Sequence, residues 1–227
     1  RYRFTVPDPK SFALSGEVHR YLVEHSTPLD DVRLRLIEET SALGSVAGMQ
    51  VAPEQSLFLT MLTRLLGVRQ AVEVGTFTGM SALSIAMGLA EGGRLVCCDV
   101  NEEWASVARR YWAEAGVDDR VELRLGPAAE TLRALPTEAH LDLAFIDADK
   151  PGYTNYWDEL VPRMRAAGVI LVDNVLWRGR VVEADAVDED TVALRRFNDH
   201  AAADARVELV MLPISDGLTL ARRLPEG

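Results

Sequence analysis

After Gln70 the chain settles into five short apolar runs, Ala71 to Gly75, Arg94 to Asp99, Val121 to Gly126, Leu141 to Asp147 and Gly168 to Asp173. Stretches such as Val169-Ile170-Leu171-Val172 are apolar at successive positions, hence on both faces of a strand. Only a sheet covered on both sides accommodates that pattern, because a sheet with one wet face alternates apolar and polar residues. Helical segments fall between the runs, so the strands are parallel and joined by crossovers, giving an open, doubly wound α/β architecture. From Ser11 to about Gly67 the texture is helical instead, with Leu29, Val32, Leu36 and Ile37 at helix-like spacing and Pro53 at a first-turn position. This third reads as a cap on the sheet. At the other end, Arg206 to Leu212 and Leu218 to Arg222 are strand-like runs joined by only Pro213 to Gly217, which forces an antiparallel hairpin. With no internal repeat or low-complexity linker, residues 1–227 are expected to form one domain, a helical cap over 11–67 and an α/β core over 70–223.

Charge and cysteine usage exclude several classes of function. Lys plus Arg number 24 against 35 Asp plus Glu, a net charge of −11 with no basic cluster, which argues against a nucleic-acid partner. Cys97 and Cys98 are adjacent and would point to opposite faces of a strand, so they cannot bridge each other. Arg1 to Lys10 has no apolar signal-peptide core, and the longest uncharged stretch, Val74 to Ala90, is 17 residues interrupted by glycines. A reducing, cytoplasmic setting is expected, with neither secretion nor membrane spanning. Only Lys10 and Lys150 among the 24 basic residues are lysines. Lysine can release its proton where arginine cannot, which draws attention to Lys150 in an acidic segment.

In such a sheet ligands bind beyond the carboxyl ends of the strands. The first run leads into Glu73-Val74-Gly75-Thr76-Phe77-Thr78-Gly79-Met80-Ser81, a turn with G-x-x-x-G spacing rather than the G-x-G-x-x-G of a pyrophosphate loop. Glu73 lies inside an apolar run and needs a partner, such as the ammonium of a bound amino-acid moiety. Asp99, 24 residues after Gly75, can accept both hydroxyls of a ribose or cap the helix beginning near Asn101. If the fourth and fifth runs are neighbours, their ends lie about 5 Å apart. Asp147, Asp173 and Asn174 then bring three oxygen donors to one point, a set suited to Mg²⁺, Mn²⁺ or Ca²⁺ and not to zinc. The other reading of the two aspartates is as caps for the segments that follow them.

At these residues the sequence resembles the cation-dependent O-methyltransferases, the family of catechol and caffeoyl-CoA O-methyltransferases and of bacterial natural-product enzymes. The resemblance runs from about Leu29 to Arg223 and rests on Met49-Gln50-Val51-Ala52-Pro53-Glu54-Gln55, Glu73-Val74-Gly75 with Thr78-Gly79 and Ser81, Asp147-Ala148-Asp149-Lys150, Asp173-Asn174-Val175-Leu176-Trp177 and Asp216-Gly217. It implies a class I, Rossmann-like methyltransferase sheet closed by the antiparallel hairpin. It implies that Asp147, Asp173 and Asn174 hold Mg²⁺ or a similar ion, and that Val51, Glu73, Gly75, Thr76, Ser81, Asp99, Ala128, Asp147 and Asp149 line the S-adenosylmethionine site. Lys150 matches the family's catalytic base, acting beside Asp147. A small catechol substrate, a homodimer and a place in bacterial secondary metabolism follow from the same likeness. The chemistry is coherent, since a phenol of pKa about 10 must be ionised before it attacks a methyl group, and a chelating dication with a nearby base achieves this. The plainer reading of Lys150 is a surface cation paired with Asp149 or Asp158.

Arg178 follows Trp177 where plant caffeoyl-CoA enzymes usually carry asparagine, which weakens a CoA-thioester substrate and offers a cation to a substrate carboxylate. Asp216-Gly217 reads as a hairpin turn pair. His19, His25, His140 and His200 show no ligand spacing, and Tyr2 and Phe4 fit either a frayed end or a flap over the acceptor. Two other functions share these features. Asp147-Ala148-Asp149 has the D-x-D spacing of metal-dependent nucleotide-sugar glycosyltransferases, and a non-catalytic S-adenosylmethionine-binding module would keep the same pocket. An NAD dehydrogenase is disfavoured by the missing G-x-G-x-x-G and Tyr-x-x-x-Lys patterns.

Overall fold

The computed structural model describes residues 14–225 together with Phe12, so Tyr2, Phe4 and Lys10 lie outside the described residues. The apolar runs become β1 (Gln70–Val74), β2 (Arg94–Asp99), β3 (Val121–Leu125), β4 (Leu141–Ile146) and β5 (Met164–Val172), and the closing pair becomes β6 (Val207–Leu212) and β7 (Leu218–Arg223). They form one seven-stranded sheet in the order β3-β2-β1-β4-β5-β7-β6. Strands β1 to β5 pair in parallel, and β7 runs antiparallel between β5 and β6. The order places β4 beside both β1 and β5, so three acidic strand ends are neighbours. Five helices fill the connections: α4 (Met80–Gly88), α5 (Glu102–Glu114), α6 (Ala128–Arg133), α7 (Tyr153–Leu160) and α8 (Glu189–Ala203).

Each face of the sheet carries its own apolar layer. Leu143, Phe145, Val169 and Leu171 face one cluster, and Ala144, Ile146, Ile170 and Val172 face the other. The adjacent thiols obey the same alternation: Cys97 lies in the first cluster and Cys98 in the second, both buried and free. The helical third supplies α1 (Gly16–Glu24), α2 (Asp31–Ser41) and α3 (Pro53–Leu66), with Pro53 in the first turn of α3 and left-handed Gly67 closing it. Leu36 of α2 and Leu59 of α3 are fully buried in the first cluster, so these two helices cap that face, whereas α1 buries no residue. Strand β5 begins at Met164, four residues before the apolar run. Arg165, Ala166 and Ala167 are exposed, Ala167 takes φ 67°, and the register with β4 shifts between Leu141 and Leu143, so the irregularity conceals the strand's start from periodicity. Edge strand β3 is charged, its Glu122 and Arg124 pairing at 2.8 Å, which discourages further strand addition.

At the amino ends of the central strands a buried carboxylate acts as a staple. Asp142 of β4 accepts from the Arg69 and Gln70 backbone N–H groups at 2.6 and 2.9 Å, and pairs through its other oxygen with Arg165 of β5. Three strands are tied by one side chain. Replacing Asp142 by Ala strands two backbone donors at a part-buried site, a loss of about 2 to 3 kcal/mol. Thermal unfolding is expected to fall by roughly 4 to 12 °C in a chain of this length, and an unchanged Tm would show that the staple is redundant.

Candidate active site

The carboxyl ends of β1, β2, β4 and β5 open into a cleft of about 960 Å³, at the upper end of the range of about 300–1,000 Å³ seen for small-molecule sites. The ladder runs unbroken to its rim: Gly75 N–H donates to Cys98 O, Asp147 N–H to Val74 O and Asp173 N–H to Ile146 O, at 2.8 to 3.0 Å. Gly75 is required here, because it takes φ +89° and a Cβ on it would sit 1.9 Å from the Asp147 carbonyl oxygen. That contact sets the Gly-rich turn directly against the end of β4.

Beneath the turn Glu73 is fully buried. Thr76 Oγ1 donates to its Oε2 at 3.0 Å, while Oε1 has no hydrogen-bond partner among the described residues. Burial pushes its pKa up to about 8, against the partial relief given by Ser81 and Thr76 hydroxyls. Asp99 at the end of β2 has another duty besides the one expected of it. Its Oδ2 accepts from the Thr76 and Phe77 backbone N–H groups at 2.9 and 2.8 Å, and its Oδ1 from Asn101 N–H at 2.8 Å. The helix after it is capped by Asn101, whose side chain accepts from Trp104 N–H, so the capping reading of Asp99 passes to its neighbour. The cap holds the turn from the other side, where Thr40 Oγ1 donates to Thr78 Oγ1 and Gln50 Nε2 to Thr40 Oγ1, both at 2.9 Å.

Across the cleft, Asp147 and Asp173 leave the ends of adjacent strands as the sequence predicts. Lys150 sits in a short 3₁₀ turn, buried, and its ammonium donates to Asn174 Oδ1 at 2.7 Å, Asp147 Oδ1 at 3.3 Å and Tyr153 OH at 2.6 Å. It is therefore no surface partner of Asp149 or Asp158; Asp149 is exposed and accepts from Tyr156 OH instead. Asp173 accepts at Oδ2 from Gln55 Nε2, at 2.8 Å, and at Oδ1 from Asn174 N–H, at 2.7 Å. Burial and the negative charge of Asp147 push its pKa up to about 7, and burial raises Asp147 too, against the pull of Lys150. Asn174 adopts φ 57°, a left-handed conformation that asparagine tolerates better than most residues. Two buried carboxylates balanced by one ammonium are short of positive charge, and an all-oxygen donor set fits a hard divalent cation. Among the described residues no group of three or more His, Cys, Asp or Glu could hold a metal, so the fit depends on the Asn174 amide and on oxygens from outside the chain.

Of the other expected cofactor residues, Val51, Thr76, Ser81 and Asp149 line the cleft. Glu73 lies below its floor, and Ala128, the first residue of α6, is not part of the lining. Sequence reasoning missed Trp104, which lines the cleft in edge-to-face contact with Phe77 at 4.9 Å. It placed Gln55 in a motif but gave it no role, and its bond to Asp173 spans 118 residues of chain. The four histidines take no part: His19 pairs with Glu54, His200 with Asp158, and His25 and His140 bond to nearby carbonyls. Asp216-Gly217 is more than a turn pair. Its carbonyls accept from Leu176 and Val175 N–H, the Asp216 carboxylate accepts from Arg178 N–H, and a Cβ on Gly217 would lie 2.4 Å from Leu176 Cγ.

A parallel sheet closed by an antiparallel pair, with a Gly-rich turn, a carboxylate after β2 and a polar cleft over the strand ends, defines a class I methyltransferase. The chain belongs to the O-methyltransferase family, whose model matches residues 23–224. It is 37% identical over 214 residues to a Dictyostelium discoideum protein named "Probable caffeoyl-CoA O-methyltransferase 1", covering 92% of this chain and 93% of the relative. Among solved structures, the O-methyltransferase from Bacillus cereus in complex with SAH superposes with a TM-score of 0.83 at 31% identity, over 91% of this chain and 97% of that one. The O-methyltransferase TomG from Streptomyces achromogenes, in complex with SAM and involved in tomaymycin synthesis, gives 0.84 at 29% identity, over 92% and 96%. Membership removes the glycosyltransferase and non-catalytic readings.

Glu73 gives the ligand-free protein a pH signature. The folded state keeps its proton up to about 8 and the unfolded chain releases it near the ordinary value of 4.5. Between those values the unfolded state binds fewer protons, so stability is fully present below about 4.5 and declines as pH rises through about 8. Glu73→Gln stays neutral and lacks this slope. Urea midpoints of both proteins from about pH 5 to 9 are expected to diverge as pH rises, and parallel curves would remove Glu73 as the cause.

Proposed function

We propose that the protein transfers the methyl group of S-adenosylmethionine to one hydroxyl of a catechol-type small molecule, with a divalent cation held by Asp147, Asp173 and Asn174. The observation that carries this reading is the meeting of Asp147 and Asn174 on Lys150, with the Asp173 carboxylate held next to them by the Asn174 N–H. A bound dication would favour ionisation of a phenol and, by holding two vicinal oxygens, would orient the attacking one towards the methyl group. Lys150 Nζ, within hydrogen-bond reach of the donor set, would receive the hydroxyl proton as the neutral amine, its own proton having left to solvent when the cation binds. The oxygen's electron pair forms the new bond to carbon while the carbon–sulfur bond breaks, its electrons neutralising the sulfonium. On the donor side, the unpartnered Glu73 Oε1 meets the cofactor's ammonium, Asp99 meets the ribose while holding the turn, and Val51, Gly75, Thr76, Ser81 and Asp149 complete the pocket. The resemblance adds Ala128 to the S-adenosylmethionine site.

The acceptor admits two forms. Arg178 lines the cleft, exposed, with no side-chain hydrogen bond or ion pair among the described residues, and suits a free carboxylate. The caffeoyl-CoA name of the Dictyostelium relative favours a CoA thioester. Equal assays of a catechol acid, its amide and its thioester separate them by kcat/KM. The tomaymycin context of TomG supports a role in bacterial secondary metabolism. Buried free thiols at Cys97 and Cys98 suit a reducing cytoplasm, and no helix among the described residues is long and apolar enough to cross a membrane. The resemblance extends the proposal to a homodimer.

The decisive test is mass spectrometry of chelator-treated and Mg²⁺-restored protein incubated with S-adenosylmethionine and a catechol panel. Methylation is expected only with the metal, and undiminished turnover in excess EDTA, or equal turnover of a monophenol, would overturn the reading. Asp173→Ala is expected to abolish most turnover while leaving cofactor binding largely intact. Lys150→Arg keeps the charge and loses the ability to accept a proton, so turnover is expected to collapse. Asp99→Ala is expected to weaken S-adenosylmethionine by about 1 to 3 kcal/mol, and calorimetry showing an unchanged Kd would refute its role.

A further inference from the structure

Between β5 and α8 the chain crosses the open side of the cleft in a long loop whose first part, the 3₁₀ segment Trp177–Val182, places Trp177, Arg178 and Arg180 on the cleft wall. Three successive residues there, Trp177, Arg178 and Gly179, have φ of 47°, 53° and 84°. Apolar packing anchors this backbone only through Trp177 and Val181, which lie half-buried against the core. From Arg178 to Glu189 only Ala186 is buried, and Val182 and Val187 are 85% and 74% exposed. A loop of this length with little core of its own needs its carbonyls satisfied by something else.

One side chain does this. Arg195, in the second turn of α8, donates from Nε to Val181 O at 2.9 Å, from Nη1 to Ala186 O at 2.8 Å, and from Nη2 to Arg180 O at 2.9 Å and to Glu183 O. A guanidinium has five N–H groups in a rigid plane, and here they gather four carbonyls from both limbs of the loop. The loop's far end is fixed to the same helix: Arg180 pairs with Asp188 at 2.5 Å, and Asp188 caps α8 through Thr191 N–H and Oγ1. At its near end Arg178 N–H is held by Asp216. Arg195 touches neither the turn around Gly75 nor Asp99, so its influence is confined to the wall opposite the methyl donor.

We propose that Arg195 is a positioning residue for acceptor recognition, shaping the 177–188 loop so that Trp177 and Arg178 present a fixed wall to the methyl acceptor. The assignment of this wall to the acceptor rests on the function proposed above. Arg195→Ala removes all four bonds, and Arg195→Lys replaces the planar fork by one nitrogen that cannot span both limbs. In Arg195→Ala, hydrogen exchange of the loop amides is expected to accelerate by roughly tenfold or more while the amides of α8 stay protected. KM for the best catechol is expected to rise by roughly tenfold with kcat changed far less, and the SAH dissociation constant to stay within about twofold of wild type. Low-millimolar guanidinium ion is expected to restore both loop protection and KM, a rescue that general destabilisation would not show. Arg195→Lys is expected to fall between, and it decides the matter if the Ala variant loses protection throughout α8. Loop exchange equal to wild type, or an unaltered acceptor KM in a variant whose loop has loosened, overturns the proposal. If wild-type protein methylates no catechol, the proposed function fails on its own, and loop exchange with its guanidinium rescue still decides for or against the Arg195 staple.

Discussion

Acidic side chains gathered at the carboxyl ends of adjacent parallel strands govern this molecule. Glu73, Asp147 and Asp173 leave β1, β4 and β5, neighbours in the sheet, and all three are pushed towards their neutral forms by burial. Parallel topology makes the crowding unavoidable, because every strand delivers its last residue to the same side. Desolvating a carboxylate costs several kcal/mol, and the chain offsets that only in part, with the Lys150 ammonium, the Gln55 amide, the Asn174 N–H and the Thr76 and Ser81 hydroxyls. The remaining deficit is of positive charge. Two ligands of the proposed reaction supply some: the divalent cation, and the methyl donor through its ammonium and sulfonium. A site built this way favours cationic partners before any shape complementarity is considered.

The opposite end of the same strands is arranged differently. Asp142 is as buried as many core residues, yet both of its oxygens are engaged, by two backbone donors and Arg165. At the ligand end, Glu73 Oε1 and Gln55 Oε1 are buried without a partner. The same side-chain chemistry thus serves cohesion where its hydrogen bonds are complete and recognition where they are left open. Backbone strain is concentrated at the ligand end, with Ala167 at the start of β5 the exception. Phe77, Asn174, Trp177 and Arg178 take left-handed φ around the cleft, at about 1 to 3 kcal/mol each.

What the sequence discloses depends on how local the cause is. The convergence of Asp147, Asp173 and Asn174 is legible because two apolar runs end in those residues and need only be adjacent, which the strand order satisfies. Gly75 is legible as a turn, although the reason for it, the Asp147 carbonyl at its missing Cβ, comes from just past the end of β4, 72 residues further along the chain. Lys150 stands out by composition, but its burial and its contact with Tyr153 depend on a 3₁₀ turn that periodicity does not reveal. Gln55 and Arg195 are illegible for a simpler reason. Each sits at an ordinary helical position, and its function lies in polar atoms supplied by segments that only the folded chain brings near. The first residues of β5 hide behind an irregular register.

Under the proposed function, these differences divide the cleft into a methyl-donor half and an acceptor half that are mechanically distinct. The donor half is made from the sheet itself, with the Gly75 turn held by the ladder to β2 and β4, by the Asp99 carboxylate and by the Thr40–Thr78 contact from the cap. Its geometry is coupled to the core, and a change there disturbs the packing of three strands. The acceptor half is a loop with almost no buried side chains, held by the hydrogen bonds of Arg195, Asp188 and Asp216. Substitutions at Arg178, Arg180 or Val182 alter that wall without removing a core residue, since all three are exposed. A scaffold arranged in this way can keep its methyl-donor chemistry constant while the acceptor changes, provided the carbonyls of the loop still find the guanidinium that orders them.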